Sequence, residues 1–323
     1  MKAPSTLQEA IVYFADAKNC NQFLADLRWA DGKPRCPHCD SDHVVYLANV
    51  NRYKCYGKHP KAQFSLKVGT IFEDSPIGLD KWLCALWLIV NCKNGISSCE
   101  MARHLGITQK SAWFMDHRVR FALHHGSFEN MLSGEVEADE TFIGGKARNM
   151  HVGKRERRIT GTGGKDKTPV MGILERGGKV RTSVLPNRKK KAIHSEVRKH
   201  VQAGSALYTD FLLSYDGLAG DYAHQVVDHA VEYVSGNVHT NGLENYWSLL
   251  KRTISGTYVS VEPYHLFRYL DEQAYRYNMR KDEEHNPLTD YDRFKQACSQ
   301  IVGKRITWDQ LTGKEADGQT SVN

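Results

Sequence analysis

No apolar run in this chain approaches the ~18 residues that a membrane-spanning helix needs; the best candidate, Trp82 to Val90, is half that length. Low-complexity blocks are absent, so nothing marks a disordered or fibrous protein. The N-terminus carries Glu9 and Asp16 and lacks the apolar region of a signal peptide, so a cytoplasmic location is expected. The glycine-rich stretch from Gly144 to Lys167 has no strand–turn–helix context, which excludes a nucleotide-binding loop. Five of the eight cysteines (Cys20, Cys84, Cys92, Cys99 and Cys298) have no paired spacing and read as small buried side chains rather than a disulfide framework. What remains is a chain of 323 residues, 41% hydrophobic, long enough for two or three domains with proper cores. A net charge of +7 is a mild argument for a polyanionic partner.

The other three cysteines are patterned. Cys36 and Cys39 flank Pro37-His38, Cys55 follows after a gap, and Lys58 stands where a fourth cysteine would usually fall. His59 is next in line, which gives a C-x2-C-x15-C-x3-H set suited to one tetrahedral Zn²⁺ with ionised thiolates. His38 and His43 are alternatives for the fourth place. Two short helices are expected before this ribbon, within residues 1–32.

After the ribbon, Leu79 to Asn91 reads as a strongly apolar helix. Residues 96–123 then read as helix, turn at Gly106, helix, with Thr108 as N-cap of the second helix. Met101, Leu105, Ile107, Ala112, Met115, Val119 and Leu123 form its apolar seam, and Gln109, Lys110, Trp113, His117, Arg118 and Arg120 are expected outside it. That is the pattern of a helix-turn-helix whose second helix enters a major groove, and equally of a plain helical hairpin.

The second half is organised around His239 to Arg252, HTNGLENYWSLLKR. As a helix from Asn241 it aligns Leu243, Tyr246, Trp247, Leu250 and Ile254 on one side. Asn241, Glu244, Asn245, Ser248, Lys251 and Arg252 take the other, with Glu244 and Lys251 two turns apart at nearly one azimuth. Two more acids close short predicted strands: Asp139 in Glu135 to Phe142, and Asp210 after Ala206 to Thr209. Strand alternation puts Glu137 and Asp139 on one face and Glu140 on the other. Further strands are predicted at Val170 to Glu175, Lys179 to Leu185 and Gln225 to Asp228, and helices at Lys189 to Gln202 and Val261 to Asn278. Strand with Asp, strand with Asp, helix with Glu is the order of a ribonuclease-H-like core. Three converging carboxylates repel unless a cation neutralises them, and hard oxygen ligands suit Mg²⁺ or Mn²⁺. Lys146, Arg148, Lys154, Arg155, Arg157 and Arg158 make the stretch after Asp139 a long basic loop, either an arm along DNA or a solvated loop. His229 and His239 fall near the third acid.

Several motifs together (CPHC, GTIFEDS, MARHLGITQKSAWFMDHRVR, ADETFIGGK, YTD, HTNGLENYWSLLKR and RYN) resemble the bacterial insertion-sequence transposases of the DDE type that carry an N-terminal zinc ribbon, the ISXO-like group. The resemblance runs from about Cys36 to Arg280. It implies Asp139 and Asp210 as the first two catalytic acids. Glu244 or Asn241 would be the third, since members carry either residue. It also implies Lys251 on a phosphate, Mg²⁺ or Mn²⁺ at the acids and Zn²⁺ in the ribbon. The expected partner is double-stranded DNA, as element ends and target, bound by a homodimer or larger assembly at the nucleoid. The expected organisation is multidomain α+β: an N-terminal helical segment (1–32), zinc ribbon (33–75), helix-turn-helix (76–130), ribonuclease-H-like core with a mixed sheet (131–282) and C-terminal helix and tail (283–323). Another ribonuclease-H-like nuclease, or a DNA-binding regulator descended from such an enzyme, shares the same residues.

Overall fold

The computed structural model describes residues 3–124, 130–144, 151–158, 167–227 and 238–313. The expectations for Lys146, Arg148, Asp228, His229 and the tail beyond Gly313 lie outside the described residues, as do the side chains of Lys154, Arg157 and Arg158. The chain forms two compact units, Met1–Leu123 with Pro287–Asn323, and His124–Asn286.

The first unit begins with α1 (Leu7–Ala15) and α2 (Ala17–Arg28), each capped by a side chain, Thr6 for α1 and Asp16 for α2. A small antiparallel sheet follows: β1 (Val44–Leu47), β2 (Arg52–Cys55) and β3 (Gln63–Phe64). The apolar helix α3 (Leu79–Asn91) has the bounds that its hydrophobic run predicts, and eight of its residues are buried. Then come α4 (Ser98–Leu105), Gly106 in the left-handed region at φ 59°, and α5 (Gln109–Leu123), whose first turn Thr108 caps through Ser111 N at 3.1 Å. Two C-terminal helices complete this unit, α10 (Asp290–Ser299) and α11 (Trp308–Thr312). Phe294 of α10 lies against Phe14, Phe23 and Trp87, so the C-terminal segment belongs to the N-terminal core.

One expectation for α5 is corrected. His117 (0% exposed), Arg118 and Arg120 are buried rather than outside the seam. The cause is that α5 is covered on more than one side. Arg118 donates to the carbonyls of Ile71 and Glu73, and Trp308 of α11 packs on Trp113 and Phe114 with the Lys110 amine over its ring. Gln109 and Lys110 alone of the expected contacts on this helix stay exposed.

The second unit holds a five-stranded mixed sheet of β4 (Glu135–Ile143), β5 (Thr168–Glu175), β6 (Val180–Val184), β7 (Ala206–Asp210) and β8 (Ala223–Val227), in the order β6-β5-β4-β7-β8. The β4–β5–β6 part is antiparallel, while β7 and β8 run parallel to β4. A parallel pair needs a crossover, and α7 (Lys190–His200) supplies it, its Ile193 and Val197 packing with Val136, Ala138, Ile173 and Leu207 on one sheet face. The other face carries α8 (Asn241–Thr253) and α9 (Leu266–Asn278), with Leu243, Tyr246, Trp247 and Leu250 against Val170, Leu174 and Val180. Residues 254–258 continue α8 as a turn of π-helix, and Ile254 is only half-buried while Thr253 closes the seam. A further short helix, α6 (Val152–Arg158), stands within the stretch expected to be a loop.

Candidate active site and zinc cluster

Two groupings of reactive side chains emerge, one in each unit. In the first unit, the ligand atoms of Cys36, Cys39, Cys55 and His59 all lie within 4.8 Å of one another. The Cys36 Sγ to His59 Nε2 distance is 3.3 Å and the Cys39 Sγ to Cys55 Sγ distance 3.6 Å, close to the ligand edges of a tetrahedron with bonds of about 2.0–2.3 Å. His59, not His38 or His43, is the histidine that completes the set. Backbone N–H groups of His38 and Gly57 donate to the Cys36 and Cys55 sulfurs at 3.4 and 3.2 Å, as thiolates require. Although burial opposes it, hydrogen bonding from His59, the Gly57 amide and the neighbouring cysteines draws the Cys55 thiol down to about 7. Gly57 has no room for a side chain: a Cβ there would stand 2.9 Å from Cys39 Sγ and 3.2 Å from Cys55 Sγ. The donor set fits Zn²⁺.

In the second unit the sheet's alternation decides which acids meet. Val136 and Ala138 point to the α7 side, so Glu137 and Asp139 point to α8. The parallel register pairs Ala138 with Thr209, the last bridge before Asp139, midway along β4, and Asp210, the last residue of the neighbouring β7. Across from Asp139 on β5 stands Gly172. Its missing side chain admits the Trp247 ring, since a Cβ there would lie 2.6 Å from the indole. Trp247 Nε1 donates to Asp139 Oδ2 at 2.8 Å, tying the helix to the strand.

The result is an open cleft of about 350 Å³ lined by Asp139, Glu140, Thr141, Glu244, Trp247, Ser248 and Lys251. Burial raises the Asp139 carboxyl to about 6, with the charges of Asp210 and Glu244 adding to the rise and the Trp247 and Glu140 N–H groups opposing it. Burial likewise lifts Glu140 to about 7, opposed by hydrogen bonding from Tyr215, helped by Asp210 and Asp139 and opposed again by Arg188. Asp210 does not line the cleft wall, yet its charge reaches both carboxyls, and its Oδ1 accepts from Leu212 N at 3.2 Å. Asn241, one turn before Glu244, is not among the lining residues, and Arg252 is exposed outside it. Among the described residues no three of the acids gather within 4.8 Å of one another as the zinc ligands do. The donor set is all carboxylate oxygen under mutual repulsion, which fits a hard divalent cation that keeps water ligands.

Sequence reasoning missed three contributors. Trp247 reads as pure core, and only its indole N–H, three positions after Glu244, hints at a polar task. Glu137 (1% exposed) accepts from Leu243 N at 3.0 Å and from Arg176 Nε at 3.0 Å, so it holds the N-terminus of α8. His239, which falls near the third acid in sequence, sits with this pair, 3.1 Å from Arg176 Nη2 and 3.4 Å from Glu137. The third is Gly172, indistinguishable in sequence from any strand glycine.

Comparison with known proteins agrees with this division. Residues 131–278 match the ISXO2-like transposase domain, and residues 16–57 the transposase zinc-ribbon domain. The chain is 30% identical over 258 residues to an uncharacterized protein in transposable element ISH50 of Halobacterium salinarum, covering 75% of this chain and 84% of that protein. It is 30% identical over 101 residues to an uncharacterized transposase-like protein of Haemophilus influenzae, covering 31% of this chain and 81% of the relative. The chain therefore belongs to the insertion-sequence transposases that carry an N-terminal zinc ribbon.

Proposed function

We propose that this protein is a DDE-type DNA transposase that binds the ends of its element, cleaves them by metal-dependent hydrolysis and joins the freed 3′-OH to target DNA. The observation that carries the reading is the cleft itself, in which Asp139 on the central strand faces Glu244 and Lys251 on α8, with the charge of Asp210 acting on Asp139. The sheet order, with its first strand central and two parallel strands on one side, supports a ribonuclease-H-like core. Asp139, Asp210 and Glu244 would hold Mg²⁺ or Mn²⁺, which when bound stabilises the attacking and leaving oxygens of an in-line displacement at phosphorus. Trp247 Nε1 on one oxygen and the Glu140 N–H on the other fix the Asp139 carboxylate at the cleft. Glu137 sets the start of α8 and with it the height of Glu244. Lys251, exposed on the cleft wall, binds a phosphate next to the scissile one as a point charge. We take Glu244 rather than Asn241 as the third catalytic residue, a choice supported by Glu244, and not Asn241, lining the cleft.

End recognition belongs to the first unit in this reading. The exposed Gln109 and Lys110 begin α5, where a helix-turn-helix presents side chains to base edges, while the buried His117, Arg118 and Arg120 support the helix from within. Arg155, exposed on α6, belongs with phosphate contacts. Pairing two ends calls for a homodimer or larger assembly on DNA. The test is cleavage and joining of labelled element-end DNA with Mg²⁺ or Mn²⁺: products lost in Asp139→Ala support the reading, and cleavage surviving in that variant overturns it.

A further inference from the structure

The turn that follows Asp210 exposes two large apolar side chains. Phe211 is 68% exposed and Leu213 73%, in a unit whose other large apolar groups near the sheet are mostly packed away. This is not a loose loop. Leu212 between them packs onto the core beside α7, Leu212 N donates to Asp210 Oδ1, and the next turn is a short 3-10 helix, residues 213–215, ending at the buried Tyr215. Ser214 Oγ also donates to the carbonyl of Arg188 at 2.7 Å, anchoring the turn to the segment before α7. Inward residues thus hold the turn in place and drive Phe211 and Leu213 outward. Beside them runs an exposed basic segment, Arg188, Lys189, Lys190 and Lys191, with the Lys190 amine about the 217 position of the same turn, 3.0 Å from where a Gly217 Cβ would stand.

An apolar ring beside cations, next to a carboxylate of the cleavage site, matches one chemistry closely. Nucleobases stack on aromatic faces, and the phosphates joined to them pair with Lys and Arg. An intact duplex does not offer a base face, because its bases are stacked on each other; only an opened nucleotide does.

We infer that Phe211, with the exposed Leu213 two residues on, is a stacking platform for an unpaired base of the DNA end flanking the scissile phosphate, with Arg188 and Lys190 holding the adjoining backbone. The inference rests on the transposase reading above. The platform lowers the cost of opening the last base pair, so it accelerates cleavage of a paired end and adds little where that base is already unpaired.

The experiment compares cleavage in Mg²⁺ of two duplexes made from the DNA flanking the gene, one fully paired and one mismatched at the flanking base, by wild type, Phe211→Ala and Phe211→Trp. Phe211→Ala is expected to cut the paired end at least about fivefold more slowly, to cut the mismatched end at close to the wild-type rate, and to be rescued by Phe211→Trp. In an Asp139→Asn background, expected to bind without cutting, 2-aminopurine at the flanking position should change its fluorescence on binding, and lose that change when Phe211→Ala is added. Equal cleavage of the paired end by wild type and Phe211→Ala overturns the inference alone. An equal loss on both duplexes, with a changed assembly state by light scattering, overturns it in favour of a protein contact. Absence of metal-dependent cleavage of either duplex by wild type overturns the transposase reading and this inference together.

Discussion

The indole N–H of Trp247 meets Asp139 Oδ2 at 2.8 Å, across a strand position where Gly172 leaves the space for the ring. Helix and strand are thereby locked at the level of the candidate active site. Replacing Trp247 with Phe keeps most of the packing and removes only the donor. Cleavage is expected to fall at least about tenfold. Because that hydrogen bond lowers the Asp139 carboxyl, its loss should also move the acid limb of the pH–rate profile upward. An unchanged profile would show that the contact does not act on Asp139.

Gly172→Ala tests the same junction from the strand. A Cβ there would sit 2.6 Å from the Trp247 ring and 2.9 Å from Leu243 Cδ2, so α8 must shift. A loss of about 1–3 kcal/mol in urea denaturation is expected, together with loss of cleavage. Wild-type stability would mean that the ring has another place to go.

Asp139 also makes stability depend on pH. Its folded-state value of about 6 lies above the 3.8 of an ordinary aspartate, so between these the folded protein binds more protons than the unfolded one, and stability falls as pH rises through that window. Asp139→Asn keeps an acceptor for Trp247 and removes the charge. Without added Mg²⁺ or Mn²⁺ it should be more stable than wild type at pH 7.5, by up to about 3 kcal/mol, and should flatten the dependence between pH 4 and 6. A variant less stable than wild type at pH 7.5 would contradict this.

At the ribbon, His59→Ala should release zinc readily while His38→Ala and His43→Ala retain it, followed with a colorimetric zinc indicator. Gly57→Ala should weaken zinc as well, because its methyl group would crowd two thiolates. Retention of zinc by His59→Ala with loss in His38→Ala would reassign the fourth ligand.

Glu137 is buried with one cationic partner and one helix N–H. Glu137→Ala takes the carboxylate away from Arg176, which keeps the His239 carbonyl and Glu135, and from the Leu243 N–H at the start of α8, and a loss of about 1–3 kcal/mol is expected. The isosteric Glu137→Gln should recover much of that stability, and full stability of Glu137→Ala would show that the pair is not needed.

Where side chains repeat with a clear period, the sequence was a good guide. The bounds of α3, the turn at Gly106, the hairpin of β5 and β6 and the one-sided polar face of α8 all follow from periodicity, capping and alternation. The parity of β4 correctly set Glu137 and Asp139 on one face, which the structure turns to α8, and the cysteine spacing reached the zinc cluster. Periodicity failed on α5, whose polar residues look solvent-facing but are covered from segments distant in sequence, the 70–74 turn and Trp308. The same limit hid Trp247 and Gly172, since an indole donor and an absent side chain gain meaning only when another element is laid over them.

The central claim is that Asp139, Asp210 and Glu244 cut and join DNA with a divalent cation. The most direct measurement incubates labelled element-end DNA with a target plasmid in Mg²⁺, in Mn²⁺ or without either, using wild type, Asp139→Ala, Asn241→Ala and Glu244→Ala. The account predicts metal-dependent joined products with wild type and Asn241→Ala and none with Asp139→Ala or Glu244→Ala. End binding without cleavage under both metals, or joining that survives in Asp139→Ala, would contradict it.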